Sequence, residues 1–243
     1  VPKNLQVNQP FRIPFSVDLI SDLNLASAED FDWTDKATSL FCVVAGNISD
    51  DLEVVRDVLT RLGACYRGIF YIEGALEHSN LYEYEARIEQ IREICSRIDH
   101  TIYMHNHVVI LNNVAFTAVN GWNGNFTKYS CVEDVTMVSA YRGMDVAHLA
   151  HTITSLQNHP EVKRIVIISN ALPGKKLTLN DPNIVVQEEG EPLTALFADS
   201  ASKVTTWMFG SYQNFVDEVY DDCRFVNNPQ MVNSHYLPKR IVL

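Results

Sequence analysis

Basic residues are in short supply. Nineteen Lys and Arg face thirty Asp and Glu, for a formal net charge of −11. Nonspecific nucleic-acid binding draws most of its affinity from Lys and Arg neutralising phosphates. The balance therefore argues against a nucleic-acid partner, and equally against an anionic membrane surface. A basic protein surface is compatible with it, and so is plain solubility. Cysteine is sparse and scattered: Cys42, Cys65, Cys95, Cys131 and Cys223, odd in number and without a C-x-x-C pair. That spacing gives neither a zinc framework nor a disulfide framework, and a reducing compartment is the simplest expectation. No apolar run approaches the ~20 residues of a membrane span. Residues 1–14 lack the apolar core of a signal peptide. The expected location is the cytoplasm, or a particle assembled there. Phosphate-cradling G-x-x-x-x-G-K-[ST] and nucleophile-elbow G-x-S-x-G patterns are missing too.

What remains is a chain of 243 residues, 47% hydrophobic, long enough to bury a substantial core in one domain. Residues 40–45 (LFCVVA), 68–72 (GIFYI) and 164–169 (RIVIIS) read as buried strands; such continuous apolar runs need cover on both faces. Residues 15–20 and 204–209 read as two more strands. Asn112-Asn113 and Asp221-Asp222 each separate two apolar segments and predict hairpin turns. Asp50-Asp51 predicts a helix cap, followed by an apolar face of Val54, Val55, Val58, Leu59 and Leu62 and a stop at Gly63. Further helices are expected over 81–98, 144–156 and 192–198. Strands alternating with helices, then hairpins, make a layered α/β domain over 15–232. It is framed by an extension, 1–14, and a tail, 233–243.

In such sheets functional loops lie beyond the carboxyl ends of the strands. Read in order, those loops are Asp22-Leu23-Asn24, Gly46-Asn47, Gly74-Ala75-Leu76-Glu77, Ser169-Asn170 shortly before Pro173, and Gly210-Ser211-Tyr212-Gln213. The series resembles the calcineurin-like metallophosphoesterases, whose strands end in D-x-H, G-D, G-N-H-E/D, a His before Pro, and G-H-x-H. The resemblance runs from Phe15 to Val232. Asn228-Pro229 after the last loop and the segment 116–126 (FTAVNGWNGNF) fit it as well. It implies a β-sandwich flanked by helices.

The same resemblance implies that the family's two-metal site is vestigial here. Two-metal enzymes polarise phosphoryl oxygens and generate a bound hydroxide, and each ion needs several anionic or imidazole ligands. Asp22 keeps the first carboxylate. Asn24 stands for a His, Asn47 for the bridging Asp, and Ala75 for a ligand Asn. Leu76 stands for the His that assists the leaving group and cannot move a proton. Ser169 or Asn170 stands for the next His, and Ser211 and Gln213 for the last two. The expectation is a protein with no catalytic residues, no metal and no cofactor, whose vacated loops are held by amides and hydroxyls.

Other histidines offer alternatives. His105 and His107 would share one face of a strand, either as half a metal site or as a solvent-facing pair. Glu77 and His78 lie beside the vestigial loop and would point opposite ways on a strand. His148 and His151 are i,i+3 on a helix. Lys163-Arg164 and Lys175-Lys176 could meet an acidic partner or simply solvate a strand start. Inactive members of the resembling family serve as scaffolds, so a structural or interaction role follows, with a protein partner or a homo-oligomer. Trp33, Trp122, Tyr129, Tyr212 and Tyr236 are the candidate interface aromatics; ordinary core packing is the competing reading of each. Two functions from other classes stay open: a phosphodiesterase with a rebuilt metal site, and a phosphate- or nucleotide-binding module.

Overall fold

A computed structural model describes residues 15–78, 80–122, 132–174, 202–230 and 236–243. Two sheets stack face to face. One comprises β1 (Ser16–Ile20), β2 (Phe41–Ala45), β3 (Gly68–Ile72), β4 (Thr101–Tyr103) and β11 (Lys239–Val242), in the order β11-β1-β2-β3-β4. The other comprises β5 (Val108–Leu111), β6 (Val114–Val119), β7 (Arg164–Ser169), β8 (Val204–Phe209), β9 (Asp217–Tyr220) and β10 (Cys223–Asn227), in the order β5-β6-β7-β8-β10-β9. Pairing is parallel at β1 to β4 and at β6-β7-β8-β10, and antiparallel at β11, β5 and β9.

Alternation along each strand sorts its side chains between layers. Val17, Leu19, Phe41, Val43, Phe70 and Ile72 face inward, against Phe116, Val166, Ile168, Met208 and Val226 of the other sheet. The intervening Cys42, Val44, Ile69 and Tyr71 face outward, under α1 (Leu52–Gly63) and α2 (Tyr84–Arg97). On the opposite side Ile165, Ile167 and Trp207 pack under α3 (Val132–Gln157), which contributes Leu149, Ile153 and Leu156. The result is a four-layer helix–sheet–sheet–helix arrangement. Helix α1 starts where Asp51 accepts the Glu53 N–H; such a cap satisfies one of the orphan donors of the first turn. Both hairpin turns carry two consecutive left-handed residues, Asn112-Asn113 and Asp221-Asp222, as the twist of a tight hairpin requires.

Three expectations shift. Helix α3 is 26 residues long and begins well before residue 144. Its first half packs on an aromatic cluster around Trp122 and Tyr84 rather than on a sheet, so its apolar stripe is sparse. Gly143 does not break it, and a Cβ there would meet nothing within 4 Å. The short strand β4 is half-buried along its length and carries no apolar run to announce it. Residues 239–242, set apart as tail, instead form β11 and pair with Ser16–Leu19. The expected helix over 192–198 lies outside the described residues.

Candidate functional site

Five strand ends converge above the sandwich, and four of their non-glycine residues sit in the left-handed region: Asp22 (φ 56°), Asn24 (φ 48°), Asn47 (φ 58°) and Ser211 (φ 55°). Asn and Asp tolerate this conformation because their short polar groups bond locally. Ser211 adopts it while its backbone N–H donates to both Asp22 oxygens at 3.0 Å. Residues held in sparsely populated backbone regions collect at functional sites, where the surroundings over-determine them.

At the centre Asn47 Nδ2 donates to Asp22 Oδ1 (2.8 Å) and to Ser211 Oγ (2.9 Å), while its Oδ1 accepts the Leu76 N–H (3.0 Å). Ser211 Oγ in turn donates to Asn170 Oδ1 (2.8 Å), which also accepts the Ala75 N–H (3.3 Å). Asn170 Nδ2 closes onto the Ala45 carbonyl (3.0 Å). Ser21 Oγ donates to Asp22 Oδ2 (2.8 Å). Two glycines make this packing possible. A Cβ on Gly74 would lie 2.3 Å from Asn47 Oδ1, and one on Gly210 would lie 2.4 Å from the Ala45 carbonyl oxygen.

The structure thus brings Asp22, Asn47, Ala75, Leu76, Asn170 and Ser211 together. Asn24 is exposed and folds back, donating to the Asp22 carbonyl at 2.8 Å. Ser169 faces elsewhere: its hydroxyl donates to the Ala171 carbonyl and accepts from Trp207 Nε1. Gln213 is exposed. A pair of divalent ions requires several anionic or imidazole donors. One carboxylate, two amides and a hydroxyl bonded to each other do not fit such a pair. Among the described residues, no group of three His, Cys, Asp or Glu is arranged to hold a metal.

Glu77, a candidate for residual metal binding, is a strut. Fully buried, it accepts the backbone N–H groups of Gly74 (2.8 Å), Asn47 (3.1 Å) and Ile48 (2.7 Å), and the Tyr71 hydroxyl (3.2 Å). Burial pushes its pKa up, and the backbone donors oppose that. The His105/His107 pair does not form. His105 enters the core on Glu73, whereas His107 is exposed after a turn in which its N–H donates to the Met104 carbonyl. The left-handed Asn106 between them reverses the chain, which a strand-based reading could not anticipate. On α3, His151 is exposed and His148 lies 3.4 Å from the Thr152 hydroxyl.

Sequence reasoning missed Glu73. It directly follows β3, is fully buried, and sets Oε1 3.0 Å from His105 Nδ1 and 3.6 Å from His78 Nε2. Burial pushes its carboxyl up, but the two imidazoles outweigh that and hold it below the usual range. Burial opposes charge on His105, and Glu73 reverses the balance and raises it. The only sequence signal was a carboxylate ending an apolar strand, with the imidazole 32 positions away.

The interface aromatics need correction. Trp33 is buried, stacked 5.3 Å from Phe31 and donating to the Tyr66 hydroxyl. Trp122 and Tyr212 are also interior, and Tyr236 packs on Phe31. Each found a hydrophobic neighbour that local sequence could not reveal. Tyr129 and Lys175-Lys176 lie outside the described residues, while Lys163 and Arg164 are exposed. The exposed large apolar side chains include Tyr82, Val219, Phe215 and Met144. Among the described residues no helix is long and apolar enough to cross a membrane.

No protein-family model matches the chain, and no curated sequence matches it either. Solved structures do. A phosphopantetheinyl hydrolase from Mycobacterium tuberculosis is similar at 13% identity and a TM-score of 0.55, over 89% of this chain and 90% of that one. A putative 5′-nucleotidase from Staphylococcus aureus gives 10% and 0.54, over 89% of this chain but 49% of its own length. GAP50, the anchor in the inner membrane complex of Plasmodium, gives 11% and 0.51, over 88% and 70%. These likenesses establish the fold: a mixed α/β sandwich of the metallophosphoesterase type.

Proposed function

We propose that this protein is a degenerate metallophosphoesterase-like scaffold that acts by binding another protein, or further copies of itself, as part of a larger assembly. The observation that carries the reading is the Asn47 amide. By the resemblance it stands where the family has a bridging carboxylate, and in the structure it spends its donors on Asp22 and Ser211 and its acceptor on Leu76. An amide brings no charge to offset the repulsion between two cations, and here it cross-links four of the loops directly. The strand ends are therefore fixed without metal, and selection on a surface is sufficient to keep such a fold. One structural neighbour is named for an anchoring role, which is consistent with this use of the fold; two others are named as hydrolases. Unpaired Cys42, Cys65, Cys95 and Cys223 suit a reducing cytoplasm, or a particle assembled in it.

The test is metal content by mass spectrometry after soaking the purified protein in Mn²⁺ and desalting it. No retained metal is the expected result. One or two ions per chain would overturn the reading and turn attention to phosphodiester substrates. Light scattering and co-purification should then show a stable oligomer or a stoichiometric complex, unchanged in Asp22→Ala. A monomer that is instead stabilised thermally by inorganic phosphate or nucleotides would mark a ligand-binding module.

A further inference from the structure

We propose that Glu73 and His105, 3.0 Å apart, form a buried, protonation-sensitive clamp that ties the loop after β3 to the turn after β4 and loosens as pH rises, with Asp145 of α3 as a second buried acid nearby. Two elements meet there, and a third lies close. Glu73 leads directly into Gly74, whose N–H is held by Glu77, and into Ala75 and Leu76, whose N–H groups join the amide network. His105 lies past β4 and bridges to Ala118 of β6. Asp145, on α3 and 5% exposed, accepts the Gly121 N–H through Oδ2 at 2.7 Å. Rings close the space between them: Tyr84 lies 4.7 Å from His78, 5.5 Å from Trp122 and 3.9 Å from Tyr141. Among the described residues, Glu73 Oε2, both His78 ring nitrogens and Trp122 Nε1 are buried without a hydrogen-bond partner, and His105, at 3.0 Å, stands closer to Glu73 than His78 at 3.6 Å.

The charged and titratable surroundings are these. Helix α2 brings Arg92, which disfavours the charge on His105, and Tyr84 and Cys95, whose ionisation Glu73 disfavours. From β3 and β4 come the Tyr71 and Tyr103 hydroxyls, both held neutral by burial and then by carboxylates. Helix α3 brings Asp145, Arg142 and His148; burial lowers the last, and His105 lowers it further. Burial pushes Asp145 up to about 7, with the Gly121 N–H opposing and Glu73 adding to the rise.

With His105 cationic and Asp145 protonated, Glu73 has an ionic partner and no like charge from α3 beside it. Raising the pH removes both protons. Glu73 then faces a neutral imidazole and a second buried carboxylate, and a buried charge that has lost its partner is strongly unfavourable. The cheapest relief is to let water in by parting the two loops that the pair joins.

Backbone hydrogen exchange reads this directly. Between pH 6 and pH 9, after correction for intrinsic rates, protection over 73–78, 103–107 and 120–122 should fall about tenfold relative to β2 and β7, equivalent to ~1.4 kcal/mol. Asp145→Asn and His105→Gln should flatten that difference. Equal protection at both pH values, or equal loss throughout the chain, overturns the clamp. Should neither variant fold, the imidazole resonances of the unmodified protein decide. Titration of His105 above 6.5, its ordinary value, sustains the clamp, and titration at or below it sinks it.

Discussion

Around Asp22 the polar atoms satisfy one another; around Glu73, with Gly74 linking the two regions along the chain, several find no partner among the described residues. The first cluster has one carboxylate, and its other members are amides, hydroxyls and backbone N–H groups. The second gathers two carboxylates and two imidazoles in the interior. Neutral hydrogen-bonded groups hold shape at little net cost and with little sensitivity to pH. Buried charges make stability conditional on protonation. The loop that begins at Gly74 therefore receives a fixed geometry from one side and a variable one from the other.

That contrast can be broken at its strongest point. His105→Ala leaves Glu73 charged and unpaired, and should cost about 3 kcal/mol in urea denaturation at pH 6. The same substitution should cost distinctly less at pH 9, where the pair is already lost; equal costs would place the two clusters in one class. Gly74→Ala attacks the neutral side by overpacking. Its methyl would fall on Asn47 Oδ1, and about 2 kcal/mol is expected, independent of pH. Asn47→Asp replaces a donor to Asp22 with a like charge. It should lower stability by about 1–2 kcal/mol; a higher melting temperature would show that the amide's donation is not what fixes the loops.

The pH profile sharpens the comparison further. His105 is raised in the folded state, so its contribution is complete below 6.5 and lost as pH climbs through the folded value. Asp145, raised to about 7 from 3.8, favours folding most at low pH, and that preference fades between 3.8 and about 7. Glu73 is depressed, so its contribution appears above 4.5 and is lost as pH falls. Stability should therefore decline from pH 6 to 9 in wild type, and decline less in Asp145→Asn. The smallest effect belongs to Asp217, held down to about 2 by Arg224 and Lys239. It is partly solvent-screened, so Asp217→Asn should cost only about 0.5 kcal/mol at neutral pH.

Much of this architecture was legible because burial on both faces leaves a plain mark. The strands at Phe41–Ala45, Gly68–Ile72 and Arg164–Ser169 are apolar almost throughout, and Asn-Asn and Asp-Asp announce their turns. The order of the strand-end loops was legible too, since each follows such a run. What stayed hidden depends on distant partners. Lys239 and Arg240 read as tail, yet charge is how an edge strand protects itself from unwanted pairing. For Trp33 and Trp122 the sequence leaves both an interface anchor and core packing open, and Phe31 and Tyr84 packed against them decide for the core. Glu73 and His105 each looked ordinary alone; the parallel register of β3 and β4, Tyr71 opposite Tyr103, sets them side by side.

The pairing of β1 with β11, Ser16 opposite Val242, also has a bearing on biosynthesis. Strand β1 finds β2 within a few dozen residues of synthesis, but its other edge stays open until β11, far downstream, has been made. Such non-local pairing is slow to form, and an open apolar edge in a nascent chain invites association. Chaperone demand should therefore persist while the intervening strands are made and drop once residues 239–242 dock.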